Sequence, residues 1–171
     1  MFVHELASFF SPWNTLYSGS KALSTGVTSV HILALLFGGG LALAADRSTL
    51  RALKRPAAER AHQLQELKAV HRPVLVALTV LFASGVAMAT ADVETFAVSP
   101  YFWVKMGLVV TLLANGLYLT NVENRLNVLA VTELPPDRGP GLWRHLRRAS
   151  VLSLTLWGLT ALAGAVLAGA A

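Results

Sequence analysis

His31 is the residue in this 171-residue chain best placed to do chemistry, because it sits inside a long apolar run. An ionisable side chain at such depth faces the interior of a helix bundle and marks a functional site by default. It lies about eight residues, roughly 12 Å, inside the run that starts near Leu23. Three roles stay open: a hydrogen bond to a neighbouring helix's hydroxyl or carbonyl, a ligand to a cofactor or metal, or a proton relay. Ala34, Gly38 and Ala42 follow on the same helical face. That small-residue stripe, reinforced by Gly39 and Gly40, either admits a neighbouring helix or leaves room for something flat and bulky.

Lys105 is the second charge inside an apolar run, after Tyr101-Phe102-Trp103-Val104. A lysine one turn inside a helix can snorkel to the interface. Its Cα–Cβ bond tilts toward the helix N-terminus, as does that of His31. The two Cα depths differ by roughly 6 Å, so both side chains can converge on one site; a metal-binding amine must first lose its proton, which desolvation favours. Met88, Met106 and Asn115 are further candidates to line that site, with Lys105 or Met88 as second ligand to a metal on His31. His71 and His145 sit at the opposite ends of their runs and bracket a possible second site. Their neighbours Arg72, Arg144, Arg147 and Arg148 suit headgroup phosphates instead. Asp46 and Asp92 fall at helix ends, where solvation explains them, and no carboxylate is expected within the membrane.

These residues need elements to hold them, and composition says which. Hydrophobic residues make up 54% of the chain and charged residues 13%, about half the charged share of a soluble domain. Four apolar runs, about 23–45, 74–91, 101–120 and 149–170, each approach the roughly 20 residues that cross a hydrocarbon core. They lack the alternation of barrel strands, so helices are expected. The fold class is an all-α integral membrane protein, a single membrane domain over 1–171 with a four-helix bundle. Cysteine is absent, which excludes disulfides and thiolate metal sites.

The net charge of +5 does not point to nucleic acid, because of where the charges fall. Arg47, Arg51, Lys54, Arg55, Arg60, Lys68 and Arg72 lie between runs one and two, and Arg125, Arg138, Arg144, Arg147 and Arg148 between runs three and four. Such loops mark the cytoplasmic face, so the expected topology is N-out and C-out in a bacterial inner membrane. Residues 1–20 read as an interfacial amphipathic helix, broken at Pro12 with Ser11 as cap and with no basic region of a signal peptide before it. Ala57, Ala61, Leu64, Leu67 and Val70 predict a surface helix leading to a kink or restart at Pro73. Residues 134–141 predict an irregular turn, and Asn121–Arg125 a continuation of the third helix into water. Ala161, Ala165 and Gly169 predict tight helix packing or a seat for a neighbouring subunit.

With this layout, three segments resemble the HemJ type of protoporphyrinogen oxidase, together with CopD-like four-helix membrane families. They are Thr28-Ser29-Val30-His31-Ile32 with Phe37-Gly38-Gly39, Arg72-Pro73 with Leu78–Gly85, and Trp103-Val104-Lys105-Met106-Gly107-Leu108-Val109. The resemblance covers about residues 28–120 and implies b-type heme with His31 as ligand and Lys105 near it. The chain departs from the pattern at Arg148-Ala149-Ser150-Val151, where that family has Asn-Glu, and in having Lys21 ten residues before His31. Heme binding, rather than porphyrinogen oxidation, is therefore what the resemblance carries. The expectation is heme b on His31, with Ala34 and Gly38 forming its seat, serving electron transfer or other redox chemistry. Its rivals are a cofactor-free subunit of a larger membrane complex or homo-oligomer, and a copper-handling protein poorly served by three methionines.

Overall fold

A computed structural model describes the backbone of residues 2–131 and 139–170; within it, side chains at 57–66, 68, 71 and 130–140 lie outside the described residues, as do 2, 168 and 170. Every described element is a helix: α1 (Phe2–Phe9), α2 (Ser11–Gly19), α3 (Lys21–Ala52), α4 (Ala57–Ala91), α5 (Val93–Val98), α6 (Pro100–Val131) and α7 (Gly139–Ala170). Four of them, α3, α4, α6 and α7, are long and apolar enough to cross a membrane. Their outward side chains are apolar, among them Leu33, Leu36 and Phe37 on α3 and Val104 and Val110 on α6, a surface suited to lipid.

The four long helices form two pairs, α3 with α4 and α6 with α7, joined chiefly where α3 meets α7. Glycine makes the first pair possible. A Cβ built on Gly38 would lie 2.8 Å from the Cβ of Ala77, and one on Gly39 3.2 Å from the Trp157 ring. Two adjacent residues thus let α3 approach α4 and α7 at once. Leu112, Leu156 and Trp157 fill the middle of the bundle, with Leu35, Leu78 and Leu108 against them. A second cluster, Leu67, Leu119, Val122, Leu126, Leu146 and Ala149, fills the end reached by the C-terminus of α3.

Several expectations need correction. The helices outrun the apolar runs: α3 continues to Ala52 and α6 to Val131, still packed on their neighbours. Asp46 is therefore buried rather than solvated, and Glu123 is buried rather than in water. α4 passes through Pro73 without a restart, because a proline one turn past the polar segment removes one bond from a helix held by its packing. Of the expected loop stripe, Leu67 is buried and Val70 half-buried, while Ala57, Ala61 and Leu64 lie outside the described side chains. Gly139, Pro140 and Gly141 belong to α7 instead of a turn, and 132–138 lie outside the described residues. Ser11 is the first helical residue of α2 and Phe10 its cap position. Ala161, Ala165 and Gly169 are exposed, so they do not pack within the chain.

The N-terminal helices are tied down to the bundle. Trp13 Nε1 donates to the Ala87 carbonyl over 2.8 Å, and Asn14 Nδ2 donates to the carbonyl of Ala91 at the end of α4. The second bond satisfies one of the carbonyls that a helix end leaves without a partner. The exposed His4–Glu94 pair at 3.1 Å adds about 0–1 kcal/mol, so α2 rather than α1 provides the attachment.

The glycine contact gives a direct check. Gly38→Val should lower stability by about 1–3 kcal/mol through overpacking, a fall of several degrees in the thermal midpoint in detergent. Gly40→Ala, where a Cβ meets nothing within 4 Å, should leave that midpoint unchanged. Equal midpoints for the two variants would show that the α3–α4 approach does not hold the bundle.

Candidate functional site

His31 projects from α3 onto α4, where small residues receive it. Its Nδ1 lies 2.9 Å from Ser84 Oγ, and a Cβ on Gly85 would come within 3.3 Å of its Cε1. The tautomer follows from counting protons. Ser84 Oγ is 2.7 Å from the Val80 carbonyl and 3.1 Å from that of Leu81, and a carbonyl can only accept. The one hydroxyl proton is committed there, so Nδ1–H of the neutral ring donates to Ser84 Oγ. Nε2 then carries the free lone pair. An imidazole whose Nδ1–H is held by a second group is how proteins present Nε2 to a metal. The same bond is also the hydrogen bond to a neighbouring hydroxyl that the sequence left open.

Lys105 joins His31 from the other helix pair. Its Nζ lies 3.7 Å from where a Cβ of Gly164 would be, so the glycine opens a notch for the amine. It is close enough to His31 for its charge to act on the ring. One turn along α7, Thr160 is buried with its Oγ1 lacking a hydrogen-bond partner. Met88 sits one turn from Ser84 and accepts from Thr28 Oγ1 over 3.8 Å. Asn115 lies further along α6 and donates to the Ala149 carbonyl over 3.0 Å, which makes it a tie between α6 and α7.

The donor set fits heme iron. A single imidazole with a bare Nε2 and a nearby amine suffices for an iron whose other four ligands come from a macrocycle. Among the described residues no group of three or more His, Cys, Asp or Glu could hold a metal ion by itself. The expected seat does not survive in the same form. Ala34 is buried, Gly38 is closed by Ala77 and Gly39 by Trp157, so the stripe serves helix approach. At the other end of the molecule, His145 is exposed and its Nδ1 pairs with Tyr118 Oη at 2.8 Å. The side chain of His71 lies outside the described residues.

Sequence reasoning missed Ser84 and Thr160, and it left Asp46 solvated at a helix end and Glu123 in water, where the structure buries both. Ser84 and Thr160 are one-turn neighbours of Gly85–Met88 and Gly164, but serines and threonines within helices commonly bond their own backbone.

The tautomer is measurable. Nitrogen NMR of labelled histidine should find His31 protonated at Nδ1, and Ser84→Ala should redistribute that proton while costing about 1–2 kcal/mol of stability. A wild-type ring protonated at Nε2 would remove it as a ligand.

No protein-family model, curated protein or solved structure matches the chain, so its function must be argued from its own residues.

Proposed function

We propose that this chain is a multi-pass protein of a bacterial inner membrane that binds b-type heme through His31 for electron transfer. The observation that carries this reading is the 2.9 Å hydrogen bond between His31 Nδ1 and Ser84 Oγ, which with Nδ1 as the donor gives Nε2 the lone pair that a metal would need. When bound, the heme would supply a one-electron couple. His31 would hold it, Ser84 would fix the ring orientation, and the Lys105 amine would either bind it as well or set the local charge. Leu108, Leu112 and Trp157 would keep water from the bundle centre.

In this reading both termini face outward and the arginine-rich ends face the cytoplasm, following the distribution of Lys and Arg. Residues 1–20 then lie over the outer end of α4, to which Trp13 and Asn14 fasten them. A second reading, a cofactor-free subunit of a larger complex, draws on the closed contacts at Gly38 and Gly39.

Protein purified from heme-replete cells should show a b-type Soret band that sharpens on reduction. His31→Ala should abolish it, Lys105→Ala should shift or weaken it, and His145→Ala should leave it unchanged. A colourless, folded wild-type protein would favour the second reading. Reporters fused to both ends should act outside the membrane, and one inserted near Pro136 inside; a cytoplasmic C-terminus would reverse the orientation.

A further inference from the structure

The arginine-rich end of α7 takes no part in the heme reading, and a groove runs along it. Arg144, Arg147 and Arg148 line one end of this groove of about 490 Å³, and Val151, Leu152 and Thr155 line the other. Steps of three and four residues place all of them on one face of the helix. Leu146, Ser150, Ser153 and Trp157 on the opposite face are buried in the bundle, so the groove looks outward. From Arg148 to Thr155 it descends about 10 Å into the apolar run that starts near Ala149.

The two ends differ in chemistry. Arg144, Arg147 and Arg148 are exposed, and among the described residues no ion pair holds them. His145 does not line the groove; its Nδ1 pairs with Tyr118 Oη on α6. At the apolar end Val151 is 48% and Leu152 46% exposed. The Thr155 hydroxyl donates to the Val151 carbonyl over 3.1 Å, so its proton is spent within its own helix.

Guanidinium groups pair their N–H donors with phosphate oxygens. An acidic protein segment could meet the arginines, but covering Val151 and Leu152 would take its backbone out of water and into hydrocarbon. A phospholipid carries both parts, a phosphodiester at headgroup level and acyl chains beneath. A zwitterionic headgroup would bring its own cation against the arginines, so charge complementarity selects an anionic one.

We infer that this groove binds one anionic phospholipid, its phosphodiester on Arg144, Arg147 and Arg148 and an acyl chain along Val151, Leu152 and Thr155. The site rests on the membrane-spanning length of α7 and is independent of heme and of orientation.

Native mass spectrometry of the full chain reads the preference, in detergent with phosphatidylglycerol and phosphatidylcholine of matched chains in equal amounts. Wild-type protein should retain one phosphatidylglycerol in preference to phosphatidylcholine. Each groove arginine should be worth about fivefold in that retention, so Arg147→Gln combined with Arg148→Gln should remove most of it. Should the double variant fail to fold, Arg144→Gln alone should still cost about fivefold. Arg125→Gln, on the exposed face of α6 and outside the groove, should change nothing. Inorganic phosphate should not displace the lipid. Equal retention of the two lipids overturns the inference and leaves the arginines to a protein partner. Displacement by phosphate, or an equal loss in Arg125→Gln, overturns it as well, in favour of a free anion or of diffuse charge.

Discussion

The approach of α3 to two partners at Gly38 and Gly39 governs the rest of the molecule. Gly38 turns one face of the helix toward α4, at Ala77, and Gly39 turns the adjacent face toward α7, at Trp157. Seven residues bring an α-helix nearly back to the same direction, with a drift of about 20°. His31 stands seven residues before Gly38, so it meets α4 at Ser84 and Gly85. Asp46 stands seven residues after Gly39, so it meets α7 at Ser153 and Ser150. Each glycine contact thus aims one chemical group two turns away.

Burial then makes those groups demanding. A buried hydroxyl or amide left without a partner costs about 1–3 kcal/mol, and the bundle meets this by pairing across helices. Ser84 receives His31, and Asn115 donates to the Ala149 carbonyl. Ser150 and Thr160 are left over, both on α7 and both with orphan oxygens. They do not lie at random positions. Thr160 stands one turn from Gly164, where Lys105 ends, and Ser150 stands against Asp46. These unmet hydrogen bonds fall where the ionisable groups are.

The four long helices were readable because apolar runs of membrane length leave the backbone no alternative. The meeting of His31 and Lys105 was readable too, since both bonds tilt toward their own N-termini and both helices start at the same end. Ser84 was not, because a serine within a helix is usually satisfied by the carbonyl four residues back, and Ser84 does bond Val80 in that way. Asp46 and Glu123 escaped for a different reason. The apolar runs stop at Ala45 and Thr120, yet the helices go on, and packing rather than hydropathy decides burial there. A signal existed in Leu119, Val122 and Leu126, whose spacing places Glu123 on the same buried stripe. In α7 the inward face is Ser150, Ser153, Leu156, Trp157 and Thr160. The small series Ala161, Ala165 and Gly169 points elsewhere because the stripe from Ser150 to Thr160 takes the interior.

The two polar stations are held apart by apolar packing, and this limits how they can influence each other. His31 and Asp46 are fifteen residues apart on α3, about 22 Å along its axis. Between them Leu112, Leu156 and Trp157 close the centre with carbon, which separates the two groups with apolar packing. Charge at one station still acts on the other through the protein. At an effective dielectric constant near 20, unit charges at that separation interact by about 0.8 kcal/mol, a shift of about fourfold in an equilibrium. A change of charge at Asp46 therefore makes only a modest electrostatic difference to the neighbourhood of His31. Stronger coupling would have to pass through movement of α3 itself. The contacts at Gly38 and Gly39, set between the stations, oppose that movement by close packing on α4 and α7.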